Sequence, residues 1–127
     1  MVGNQRKQLT EKGVCDYDYL NDILFFKVKN REYERSIEMD RFIIDIDNEN
    51  FIVGIQILNA SELFELKKEL LRKICKWQFQ ASINENKLEF KLIFQAVYRN
   101  KIIEPRPIII EELTETLPDS RVVCSVS

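Results

Sequence analysis

The chain contains no histidine. That removes the commonest general base at neutral pH and the commonest zinc and copper ligand. Ser-His-Asp and Cys-His arrangements cannot be assembled from this chain alone. Glycine is scarce too, confined to Gly3, Gly13 and Gly54. No glycine-rich loop is left to cradle phosphates, so P-loop and dinucleotide fingerprints are excluded. The cysteines, Cys15, Cys75 and Cys124, are odd in number and share no C-x-x-C spacing. Neither a disulfide framework nor a zinc site is expected from them. Cys15 and Cys75 lie among apolar residues and read as small core hydrophobes. Cys124, in the stretch RVVCSVS, is the candidate reactive thiol, with only Arg121 nearby to lower its pKa. No apolar run approaches the roughly 18 residues needed to span a bilayer, so no membrane role is expected. The polar start MVGNQRKQLTEKG is unlike a secretory leader, which predicts a cytoplasmic protein.

What is present is ordinary for a globular domain. Hydrophobic residues are 45% and charged residues 31% of the 127. A chain of this length can bury roughly two thirds of its unfolded surface without staples. The net charge of -2 gives no field that favours phosphates or an anionic membrane. Three regions are expected: a flexible arm over residues 1–13, a single domain over 14–113 and a mobile tail over 114–127.

Within the domain, period-two alternation predicts a run of short strands. They cover Val14 to Tyr17, Ile23 to Lys29 and Tyr33 to Ile37. Phe42, Ile44 and Ile46 then share one face, and Phe51, Val53, Ile55 and Ile57 share another. Asp47-Asn48-Glu49-Asn50 reads as a hairpin, with Asn50 as its left-handed residue. A helix is predicted over Ala60 to Ile74. Asn59 and Glu62 would form its capping box, with Ser61 as the other candidate cap. Leu63, Leu66, Leu70 and Ile74 would be its dry stripe. Trp77, Phe79, Ala81 and Ile83 answer Leu88, Phe90, Leu92, Phe94, Ala96 and Tyr98 across a turn at Asn84 to Asn86. Ile108 to Ile110 reads as an edge strand, since Pro105 and Pro107 suit an edge. The fold class is therefore α+β: an antiparallel β-meander, one amphipathic helix and a C-terminal β-hairpin.

The run Tyr17-Asp18, Asp22-Ile23-Leu24-Phe25 and Val53-Gly54-Ile55-Gln56-Ile57-Leu58-Asn59-Ala60-Ser61 resembles the domain-of-unknown-function family 2283. The resemblance covers about residues 14–66. Asn50 departs from it, standing where the family usually has glycine. The resemblance implies a small meander plus helix, and it carries no activity. It also implies a role as a small protein's partner, because shorter bacterial members look like antitoxins.

The sharpest candidate chemistry is acidic. Asp18 and Asp22 flank the first turn, and Asp45 and Asp47 share a strand face about 7 Å apart. Converging, they would offer oxygen ligands to a hard cation or bind a small molecule. Turn formation is the competing reading of the same residues. No metal or other cofactor is expected. The cations Lys68, Arg72, Lys73 and Lys76 interleave with Glu65 and Glu69, as on a solvated face, so nucleic acid is not an expected partner. Apolar residues on both faces of the strand Ile23 to Val28 call for a second cover. The expectation is a non-enzymatic interaction protein, a homodimer, with a regulatory or antitoxin-like role. The alternative is a carboxylate-based metal or small-molecule binding protein.

Overall fold

Gly13 lets one strand serve two half-sheets. In the computed structural model, which describes residues 7–74 and 76–126, strand β1 runs over Lys7–Asp18. Its first half, Lys7 to Lys12, pairs in parallel with β10, Ser120–Val126. Its second half, Gly13 to Asp18, pairs antiparallel with β2, Ile23–Val28. A Cβ at Gly13 would lie 2.1 Å from Cys124 Sγ and 2.7 Å from the Lys27 carbonyl oxygen. Gly13→Ala is therefore expected to destabilise the fold by about 1–3 kcal/mol, the usual cost of overpacking. A urea midpoint within error of the wild type would contradict this close approach.

The first half-sheet continues from β2 to β5, Ile52–Leu58, then β4, Phe42–Ile46, and β3, Arg35–Glu38. The second runs from β10 to β6, Lys76–Asn84, then β7, Lys87–Tyr98, edged by β8, Lys101–Ile103, and β9, Ile108–Glu112. The halves share one core. Phe26 of β2 meets Trp77 at 4.9 Å and Phe79 at 5.3 Å between ring centroids, both rings on β6. The alternation predicted for Phe42, Ile44 and Ile46 holds, and so does that of β6 and of β7 from Leu88 to Ala96, whose inward rows are buried. Asn50 is left-handed at φ 65°, as expected. Two-residue turns at Glu85-Asn86 and Arg99-Asn100 have positive φ at both positions, the type I′ pattern of tight hairpins.

The α+β expectation is overturned. Among the described residues the chain forms ten strands in one mixed sheet and only two five-residue helices. The Ala60–Ile74 helix is two pieces, α1 over Ala60–Phe64 and α2 over Lys68–Arg72. Glu65 turns left-handed, at φ 54°. Its N–H bonds the Glu62 carbonyl at 3.2 Å, and the Leu66 N–H bonds the Ser61 carbonyl at 3.0 Å. Those two bonds are a Schellman ending, usually built with glycine. The dry stripe has the right spacing, but tertiary packing of short turns replaces a continuous helix. The capping box is absent too: Asn59 makes no side-chain cap.

The arm and the tail are corrected as well. Residues 7–13 belong to β1, and residues 1–6 lie outside the described residues. The expected mobile tail over 114–127 contains β10, wedged between β1 and β6, with Leu117 and Val122 buried. Cys124 is fully buried on that strand. Burial, then Glu11, pushes its thiol up to about 11, so it is not a reactive thiolate. Burial, then Asp16, pushes Cys15 up to about 12, consistent with a core thiol. Cys75 lies outside the described residues.

Candidate functional site

The four carboxylates singled out in the sequence fall at separate stations. Asp18 holds the β1–β2 turn, accepting from the Asn21 N–H at 3.1 Å and from Asn21 Nδ2 at 2.8 Å. These bonds, the side-chain one foremost, hold its carboxyl below the usual range.

Asp22 is a fastener between distant segments. It is left-handed at φ 56° and buried. The Tyr17 hydroxyl donates to Oδ1 at 2.6 Å. The Ser61 N–H donates at 3.0 Å to Oδ1, and the Ser61 hydroxyl at 2.6 Å to Oδ2. The Asp22 carbonyl accepts the Ala60 N–H at 3.0 Å. The start of α1 is thus capped from across the fold, which is why Asn59 need not cap it. Burial pushes the Asp22 carboxyl up, but the bonds from Ser61 and Tyr17 outweigh it and hold the group below its ordinary value.

Asp45 and Asp47 lie on and just beyond β4. Asp45 is buried, and its Oδ1 accepts the Ser36 hydroxyl at 2.6 Å. Gly54 pairs with it across the strands, and a Cβ there would lie 2.8 Å from Asp45 Oδ2. The glycine makes room for the carboxylate. Asp47 closes the hairpin turn: Oδ1 accepts the Glu49 and Phe51 N–H groups, each at 2.9 Å, and Oδ2 pairs with Arg31 at 3.2 Å. Among the described residues no group of three or more His, Cys, Asp or Glu is placed to hold a metal ion. No helix among them is long and apolar enough to cross a membrane.

Asp22 is singled out in the sequence, but not its partners as a unit. Ser61 reads there as a candidate helix cap and Tyr17 as the end of a strand, not as donors to Asp22. A single left-handed aspartate can reach a helix start that lies 39 residues later, and no spacing rule foresees that. The long edge of β8 and β9 is foreseen in the sequence only as Ile108 to Ile110.

The family described as "Protein of unknown function (DUF2283)" matches residues 15–61. Tyr17 and Asp22 lie near the start of that match and Ser61 is its last residue, so the fastener ties its ends together. A Methanosarcina mazei protein, whose printed name is "Putative hypoxanthine phosphoribosyltransferase", is 36% identical over 89 residues. The match covers 70% of this chain and 72% of that protein. An uncharacterised Methanocaldococcus jannaschii protein is 33% identical over 89 residues, covering 69% of this chain and 77% of its own. No solved structure matches the chain.

Proposed function

We propose, from the premise that this chain belongs to the DUF2283 family of proteins of unknown function, that it is a cytoplasmic, non-enzymatic interaction protein that works as a homodimer. One observation carries the reading: the two edges of the sheet are built differently. The β3 edge is four residues long and exposes Arg35, Ser36 and Glu38. Short, charged edges resist pairing with another chain. The opposite edge is long and sets the exposed isoleucines Ile102, Ile108 and Ile110 among charges.

That opposite edge is continuous. Ile103 pairs with Ala96, Ile109 with Phe90 and Glu111 with Leu88, all in one register. The gap between β8 and β9 is bridged by Phe94 N–H to Pro105 and Leu92 N–H to Pro107 bonds, at 3.3 and 3.1 Å. Odd-numbered residues therefore turn their backbone groups toward β7. The prolines take inward places, where the only lost donors are inward ones. Glu104, Arg106, Ile108 and Ile110 turn their N–H and C=O groups outward. Ile102, Ile108 and Ile110 are 72%, 57% and 63% exposed, with Val97 beside Ile102.

The sequence of this edge suits a second copy of itself. An antiparallel pairing about a two-fold axis at Ile109 sets Ile108 against the partner's Ile110. It also sets Arg106 against the partner's Glu112. Apolar then meets apolar and cation meets anion, each twice. Shifting the axis by one residue sets Glu104 against the partner's Glu112, a like-charge contact.

Light scattering at micromolar concentration is expected to give twice the chain mass. Ile110→Lys should give a monomer, and so should Arg106→Glu. The double variant Arg106→Glu with Glu112→Arg should recover the dimer, because it restores the opposite charges. A monomeric wild type would overturn the reading. A dimer indifferent to Ile110→Lys would move the interface off this edge.

The name of the Methanosarcina protein raises a second reading, phosphoribosyl transfer. Little in this chain favours it. Phosphate sites draw on glycine-rich loops at helix starts. Here Gly13 and Gly54 sit inside strands, pressed against Cys124 and Asp45.

A further inference from the structure

On the outer face of the first half-sheet, Lys27, Gly54 and Asp45 stand in one row across β2, β5 and β4. Gly54 contributes no side chain, and the Asp45 carboxylate fills the space over it. Beside this row a cavity of about 70 Å³ is lined by Phe25, Lys27, Arg31, Tyr33, Asp45 and Val53. By the roughly 10–15 Å³ that one water-sized group requires, it holds about five such groups. Asp45 lines this space as a carboxylate only 8% exposed. Ser36 occupies Oδ1, while Oδ2 lies over Gly54 and accepts no hydrogen bond among the described residues.

The two cations at the rim differ. Arg31 is committed: it pairs with Asp47 and Glu49, and its guanidinium lies over the Phe51 ring. Lys27 forms no ion pair among the described residues, though it is exposed on the same row. The lining thus brings together one open acceptor from Asp45, one open cation from Lys27 and the apolar side chains of Phe25 and Val53. Oδ2 is left open to a donor from outside the chain, since a carboxylate oxygen accepts more than one hydrogen bond.

We propose that this cavity binds a compact zwitterion, a primary ammonium joined to a carboxylate by a short chain. The ammonium donates to Asp45 Oδ2, and the carboxylate accepts from Lys27 Nζ. Charge-assisted bonds at both ends give a small molecule its affinity and its orientation. Glycine, with five non-hydrogen atoms, is the smallest member of the class. The site lies on β2, β5 and β4, at the far end of the strand order from β9, so it does not depend on the proposed dimer.

The test is an NMR titration of the full chain with glycine, following the Gly54 amide. A saturable shift in the millimolar range is expected. Asp45→Asn keeps an acceptor for Ser36 but loses the charge, and should weaken binding roughly tenfold or more. Lys27→Met, at an exposed position, should weaken glycine binding similarly and leave binding of methylammonium unchanged. It carries the test if Asp45→Asn does not fold. Linear, unsaturable shifts would overturn the proposal. So would equal glycine affinity in wild type and Lys27→Met, and so would binding of methylammonium without binding of glycine.

Discussion

Phe26→Ala is expected to cost about 3–5 kcal/mol, the range for truncating a buried aromatic. Phe26 is fully buried on β2 and is the ring through which the half-sheets meet. Its removal opens a cavity between Trp77 and Phe79, which are fixed by a hairpin and cannot close the gap without moving β6. The edge-to-face contact with Trp77, at 76° between planes, is lost as well. Such pairs add about 0.5–1.5 kcal/mol beyond area. Against a total stability of about 5–15 kcal/mol, the loss is a large share. Urea unfolding followed by Trp77 fluorescence measures it. A loss under about 1 kcal/mol would mean that the two half-sheets do not share a core.

Asp22→Ala is the second large effect, expected at about 3–4 kcal/mol at neutral pH. It strands three part-buried donors, Tyr17 OH, Ser61 N–H and Ser61 OH, each at a cost of up to about 1–3 kcal/mol, the range for a fully buried unsatisfied group. The costs do not add fully, because the three share one site. Tyr17→Phe removes one donor and leaves the carboxylate bonded, so about 1 kcal/mol is expected. The effect depends on pH. The folded carboxyl of Asp22 titrates below its ordinary value, which is about 3.9 in an unfolded chain. Its contribution is therefore complete above about pH 4 and is lost as pH falls through the folded value. The gap in urea midpoint between wild type and Asp22→Ala should narrow on going from neutral pH to about pH 3. A gap constant across that range would show that the carboxylate's charge is not what Ser61 and Tyr17 bind.

Much of the first half-sheet was legible because one face of each strand is dry and the other wet. The same rule gave β6 and β7 nearly residue for residue. It failed where burial does not follow local pattern. Residues 7–13 are polar on the page, yet β10 and Gly13 draw them into the sheet. The stretch holding Cys124 follows Pro118, Asp119 and Ser120 and reads as a tail, but Val122 and Cys124 alternate inward once β6 lies beside them. The helix failed differently: its stripe was real, but Glu65 accepted a left-handed turn that intrinsic preference disfavours. At the candidate site, the sequence pointed to the right aspartates and not to their separation. Asp18 and Asp47 are turn formers, Asp22 is a cap, and only Asp45 borders open space with an oxygen to spare.

Amide hydrogen exchange along the β8–β9 edge tests the dimer most directly. The N–H groups of Arg106, Ile108 and Ile110 point away from β7, while that of Ile109 points into it. Arg106, Ile108 and Ile110 are expected to be protected at high protein concentration and to exchange freely on dilution. Ile109 should stay protected at both concentrations, as an internal control. Rapid, concentration-independent exchange at Ile108 and Ile110, with Ile109 still protected, would contradict self-association through this edge.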